Sequence, residues 1–235
     1  MIDIDPSLTG RLSFKPDPAA VLTKPPLPPG RHALGIAEIR DAFLYVPDGI
    51  DPAVPVPLVV LFHGAGGSAR RIMPVLEEHA ERHRFLLLGP QSLLPTWDIV
   101  IGGSGPDRER LELALAEVAA RYRLDPTHIG FAGHSDGGSM SLTMGLTNGG
   151  FVTHIMAMSA GFMAVLMPEG EPRVFIAHGA ADEQLPVATS GRANATRLKE
   201  AGYDVTYLEF NGPHAVQPTI AGIAVRFFVR DLLGV

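Results

Sequence analysis

A chain of 235 residues, 46% of them hydrophobic, carries enough apolar material for one large α/β core. Its formal net charge of −6 offers no basic face for a phosphate backbone, so nucleic acid is not an expected partner. There is no cysteine, which excludes disulfides, thiolate metal sites and cysteine nucleophiles together.

The N-terminus, MIDIDPSLTGRLSFKP, starts acidic and lacks an apolar h-region. It does not read as a signal peptide, so a cytoplasmic location is the expectation. No stretch approaches 18 uninterrupted apolar residues, and no membrane span is expected. Residues 1–35 are proline-rich, with KPPLPPG at 24–30. Proline fixes φ and removes amide donors. This segment therefore reads as an N-terminal extension packed on the domain, with a short edge strand near 10–15.

AFLYVP (42–47) alternates as a strand should. PVPLVVLFHG (55–64) is a continuous apolar run ending in glycine, the pattern of a parallel strand buried on both faces. Ser68 is placed to cap a helix through about 82, followed by a strand at RFLLLG (84–89) and a helix over 107–121. THIGFAG (127–133) is the next strand and 137–147 the next helix. THIMAMSA (153–160), PRVFIAHG (172–179) and DVTYLEF (204–210) are further strands. Helices fit 186–201, closed by Gly202, and 215–232. The alternation predicts a single α/β domain over 1–235, with a mostly parallel sheet and helices on both faces.

In such sheets ligands sit beyond the carboxyl ends of the strands. Gly133-His134-Ser135-Asp136-Gly137 stands there, between a strand and a helix. This is the G-x-S-x-G nucleophile elbow, in which crowding demands small residues two before and two after the serine. The plainer reading is a glycine-rich turn with an incidental serine. A serine nucleophile needs a histidine to take its proton and an acid to orient that histidine, and this fold supplies them in the order Ser, Asp or Glu, His. Asp182 follows the strand PRVFIAHG, and only His214 follows Asp182 in the chain. Glu183 is a weaker alternative acid; Asp204 precedes its strand and Glu209 lies inside it. The plainer readings are a turn residue for Asp182 and a surface histidine for His214.

An oxyanion needs preorganised amides. The amide of Asp136 is one candidate. The second comes from His63-Gly64-Ala65-Gly66-Gly67, with Ala65 first and Gly66 second. Gly64, Gly66 and Ala69 also fit the dinucleotide fingerprint G-x-G-x-x-A, but the next strand ends Leu88-Gly89-Pro90-Gln91, without the acid that would hold ribose. His79 and His83 lack the zinc-protease order and read as a solvated face. Met156 and Met158 read as core. Phe162 and Met163, together with Met167, are candidates for an acyl pocket, and Gly66 is placed in the substrate pocket beside them. Trp97 is either a packing anchor or a substrate wall, and Asp98 and Asp107 tie its loop down. No metal ligand set and no cofactor site is expected.

LFHGAGG, TWDIVIGGSGPD, IGFAGHSDGGSMSLTMGL, HGAADEQLP and GYDVTYLEFNGPHAV resemble segments of the α/β-hydrolase superfamily. Within it they are similar to the compact carboxylesterase/phospholipase and polyhydroxybutyrate-depolymerase-like esterases. The resemblance spans about residues 40–232. It implies Ser135 as nucleophile, Asp182 as acid and His214 as base. Only GFMAVLMPEGEP (161–172) stands where many lipases insert a cap, so an open site for small or short-chain esters is expected. Thioesterase, lactone hydrolase, acyltransferase and lysophospholipase-type activities share this triad, and a non-enzymatic binding module is the contrasting class. Composition leaves a homo-oligomer open.

Overall fold

The structure is a computed structural model that describes residues 10–101 and 105–233. Eight strands form one sheet: β1 (Gly30–Ala33), β2 (Phe43–Val46), β3 (Val56–Phe62), β4 (Leu86–Gly89), β5 (Leu124–His134), β6 (His154–Met158), β7 (Arg173–Gly179) and β8 (Val205–Phe210). Their spatial order is β1-β2-β4-β3-β5-β6-β7-β8. β1 and β2 run antiparallel, and every pairing from β4 to β8 is parallel.

Helices α1 (Ala69–Ile72), α2 (Pro74–His83), α3 (Pro106–Ala119), α4 (Asp136–Thr147), α5 (Gly191–Glu200) and α6 (Pro218–Val229) fill the connections. Alternate residues of the apolar runs divide between two cores. Leu58, Val60 and Phe62 of β3 pack with α3 and α4, whereas Val59 and Leu61 pack with α2 and α6. A strand buried on both faces needs no polar alternation, which is why β3 reads as an unbroken apolar run.

The expected edge strand near 10–15 does not form; β1 lies instead at Gly30–Ala33, against β2. The chain around Gly10 is claimed by a side chain: Asn148 accepts from the Leu12 amide at 2.8 Å and donates to the Gly10 carbonyl at 3.1 Å. Further on, the amides of Thr23 and Lys24 both donate to the Ala120 carbonyl, at 2.9 and 3.0 Å. The extension thus covers the α3 side of the sheet, and Leu12 and Leu34 join the core there. The helix expected from Ser68 to about 82 is divided at Met73, because Pro74 heads a new helix, and the Ser68 side chain caps neither. The later two helices start at Gly191 and Pro218, a few residues after the expected 186 and 215.

Candidate active site

β5 ends at His134 and α4 begins at Asp136, so Ser135 carries the whole change of direction. Its φ of 57° and ψ of −124° lie where L-residues are strained. The Ser135 amide donates to the Met158 carbonyl on β6 at 3.0 Å, which holds the strained residue in place. Gly133 and Gly137 are the small residues this geometry needs. A Cβ on Gly133 would overlap the Gly137 carbonyl, and one on Gly137 would overlap the Phe62 carbonyl of β3. Ser135 sits half-buried at the N-terminus of α4, where free amides and the helix dipole favour negative charge.

Asp182 follows β7 and His214 follows β8 at the same edge of the sheet. His214 donates from Nδ1 to Asp182 Oδ2 at 2.6 Å. The amides of Gln184 and Leu185 donate to Asp182 Oδ1 at 3.0 and 2.8 Å. Burial by itself would push the Asp182 carboxyl up; the Leu185 amide and His214 outweigh it and hold the group below its ordinary value. The alternative acids are otherwise engaged or turned outward. Glu183 is exposed, Asp204 pairs with Arg173 at 3.2 Å, and Glu209 pairs with Arg192 at 2.8 Å.

His134 brings the two halves together. Its ring centroid lies 4.8 Å from that of His214, tilted by 44°. Burial, and then the neighbouring His214, push His134 down to about 4, so the ring is neutral at pH 7. Ser135 and His214 do not hydrogen-bond to each other in this structure.

The loop after β3 faces the serine from the other side. A Cβ on Gly64 would come 3.2 Å from Ser135 Cβ. The Gly66 amide donates to the Pro95 carbonyl at 2.8 Å and the Gly67 amide to the Gly64 carbonyl at 3.0 Å. The Ala65 amide donates to no described residue. Beneath the loop, His63 is buried and bonded on both ring nitrogens. Nδ1 donates to the Gly64 carbonyl at 2.8 Å, and Nε2 accepts from Gln91 Nε2 at 2.8 Å. Burial pushes His63 down to about 4. Gln91, which stands where a dinucleotide fold would place an acid, accepts the Ala69 amide at 3.0 Å instead.

Four residues expected to line a pocket have different surroundings. Gly66 takes a left-handed φ of 66° in the loop beside Ser135. Phe162 is exposed, and its amide donates to Ser139 Oγ, one helical turn beyond Ser135. Met163 faces a groove with Leu146, Leu198 and Tyr203. Of the two roles open to Trp97, at 1% exposed it takes that of packing anchor and not that of substrate wall. It meets Phe62 edge-on at 5.3 Å and donates from Nε1 to the His63 carbonyl at 2.8 Å. Asp98 and Asp107 do tie the loop down, each carboxylate accepting the other's amide at 2.9 Å.

Sequence reasoning passed over His63, His134, Ser139 and His178. Their signal was available only as polar residues inside otherwise apolar runs or flanking the serine. Among the described residues no group of three or more histidine, aspartate and glutamate side chains is arranged to hold a metal ion. No described helix is long and apolar enough to cross a membrane.

No family model matches the sequence, and no curated protein does. Solved structures do match in fold. Esterase PE8 is 19% identical with a TM-score of 0.63, covering 80% of this chain and 96% of its own. Thermogutta terrifontis esterase 2, phosphorylated by paraoxon, is 17% identical with a TM-score of 0.66, covering 89% of this chain and 95% of its own. FphF, a fluorophosphonate-binding serine hydrolase of Staphylococcus aureus, is 14% identical with a TM-score of 0.67, covering 86% of this chain and 99% of its own. The chain has the α/β-hydrolase fold. Between β6 and β7 only residues 159–172 intervene, and no separate cap domain is built there.

Proposed function

We propose that this protein is a serine carboxylesterase acting on short- to medium-chain esters. The observation that carries the reading is the Asp182–His214 hydrogen bond of 2.6 Å, made at the sheet edge where Ser135 stands strained at the head of α4. The esterases and serine hydrolases that share the fold support it.

In this reading His214 takes the Ser135 proton at Nε2 while Asp182 holds Nδ1–H and stabilises the imidazolium. Ser135 Oγ attacks the ester carbonyl. The oxyanion is held by the amides of Ala65 and Asp136; the freedom of the Ala65 amide, beside a Gly66 amide committed to Pro95, favours Ala65 for that role. His214 then gives its proton to the departing alcohol. Water, deprotonated by His214, attacks the acyl-enzyme and frees the acid. The lack of a cap domain supports small or short-chain substrates reaching Ser135 directly.

The test is hydrolysis of p-nitrophenyl acetate, butyrate, octanoate and palmitate, with butyryl thioester alongside, by wild type and Ser135→Ala. Activity on the short esters that vanishes in the variant supports the reading. Preference for palmitate sinks the chain-length claim. A preference for the thioester moves the enzyme to the thioesterases, and no Ser135-dependent turnover removes the esterase assignment.

A further inference from the structure

Asp182 has a second histidine on the oxygen it offers to His214. His178, in β7, is wholly buried, and its Nε2 lies 3.2 Å from Asp182 Oδ2 and 2.8 Å from the Leu185 carbonyl. Both neighbours are acceptors, so Nε2 carries the proton; it donates to the Leu185 carbonyl, with the Asp182 carboxylate alongside at 3.2 Å. The other ring nitrogen, Nδ1, is buried without a hydrogen-bond partner. A proton there would be a buried donor with no acceptor, which is costly. The ring proton is therefore placed on Nε2.

Its place is built in. Gly191, the first residue of α5, packs flat against the ring, and a Cβ there would come 2.6 Å from both Cβ and Nδ1 of His178. The Leu185 residue that accepts from His178 through its carbonyl also donates its amide to Asp182 Oδ1. His178 thus holds the Asp182 loop by its backbone and lies against its carboxylate. The charged and titratable groups about this cluster are His134 at the end of β5, His214 from the loop after β8, and Glu209, paired in register with His178 on β8 and bonded to Arg192 and Tyr207.

We infer that His178 is a positioning residue for the acid of the triad: its Nε2–H holds the Leu185 backbone whose amide aims the Asp182 carboxylate at His214 Nδ1–H, and it lies close enough to Oδ2 to draw off part of the carboxylate's charge. The inference rests on the serine-hydrolase reading for its kinetic consequence, but not for its structural one. A carboxylate with an N–H group beside it exerts less pull on the imidazolium opposite. Removing the donor therefore raises the pH at which His214 becomes protonated and loosens the carboxylate's aim.

The experiment compares His178→Phe, which keeps a ring and loses the donor, with His178→Gln, whose amide nitrogen can stand in for Nε2. In His178→Phe, kcat on p-nitrophenyl butyrate falls about tenfold with KM unchanged. The acidic limb of the pH profile moves up by about half a pH unit. The far-downfield proton resonance of His214 Nδ1–H, identified by its loss in His214→Gln, shifts as well. His178→Gln restores all three readings. A folded His178→Phe with the wild-type limb and resonance overturns the inference, as does a His178→Gln no better than the phenylalanine variant. If His178→Phe does not fold, nitrogen-15 shifts of the wild-type ring decide: a proton on Nε2 supports the inference and an Nδ1–H form overturns it. If the wild type shows no Ser135-dependent hydrolysis, the esterase reading falls. The downfield resonance and the tautomer still judge the placing of His178 beside Asp182.

Discussion

Gly133 and Gly137 press β5 and α4 together so closely that neither can carry a Cβ. The missing atom of Gly133 would fall on the Gly137 carbonyl, and that of Gly137 on the Phe62 carbonyl. Every colliding atom is backbone, so no side chain can rotate aside. Gly133→Ala and Gly137→Ala should each cost at least about 3 kcal/mol, visible as a large fall in melting temperature or loss of soluble protein. Gly202→Ala is the contrast. Gly202 has a φ of 90° with open space around it, so only backbone strain of about 1 kcal/mol is expected. Equal melting temperatures for all three would contradict this account of the elbow.

Asp182→Asn separates geometry from charge. Asparagine keeps an oxygen for the Gln184 and Leu185 amides, so the loop should stand. Its NH₂ then faces His214 Nδ1 and His178 Nε2, donor against donor, and His214 must turn over to the other tautomer. The expected result is a fall in kcat of about 10³–10⁴ with the melting temperature little changed. Retained activity would mean that another group orients His214.

The elbow was legible because its constraints are local. A strained serine, a strand before it and a helix after it demand glycine at two fixed offsets, and a sequence records that directly. Chain order found Asp182 and His214 for a similar reason: a parallel sheet puts successive loops at one edge. Trp97 and Met163 were less legible, since they sit in short loops whose side chains can turn inward or outward with the same composition. Packing against Phe62 settled Trp97, and the groove beside Leu146 took Met163. The edge strand expected near residue 10 failed because Asn148, far away in sequence, bonds that backbone first. His63 and His178 were silent, since a buried histidine announces itself only through partners brought up by the fold.

Two histidines, His63 and His134, make stability depend on pH. Burial pushes His63 down to about 4, while the unfolded ring keeps its ordinary 6.5. Between these values the unfolded chain binds a proton that the folded chain does not. Stability is therefore full above about pH 6.5 and falls as pH drops toward 4. His134, also pushed to about 4, acts in the same direction. Each ring should remove about 2 kcal/mol by pH 5. Asp182, held below its ordinary value, loses its contribution only further down, in the carboxylate range. Asp107, raised chiefly by burial, works the other way over that lower range. Urea midpoints measured from pH 8 to 4.5 should decline below 6.5; a flat curve would mean that these rings are not buried in neutral form.

The chain after β6 should control how well a substrate's acyl group is held. Ser139 Oγ accepts the Gly161 amide at 3.1 Å and the Phe162 amide at 3.3 Å, and Thr143 Oγ1 accepts the Ala164 amide at 3.0 Å. These bonds lay residues 161–164 along α4, starting one turn from Ser135. Phe162 points outward there, as does Leu166 at 71% exposed. Ser139 is itself buried, so Ser139→Ala leaves two amides without their acceptor at a cost of about 1–3 kcal/mol. Its kinetic effect should be a several-fold rise in KM for p-nitrophenyl butyrate and octanoate, with a smaller rise for acetate. Phe162→Ala should reproduce the chain-length dependence without the loss of stability, because an exposed ring contributes little to folding. If both variants keep the wild-type ratio of octanoate to acetate turnover, the acyl group lies elsewhere and residues 161–164 serve only to cover α4.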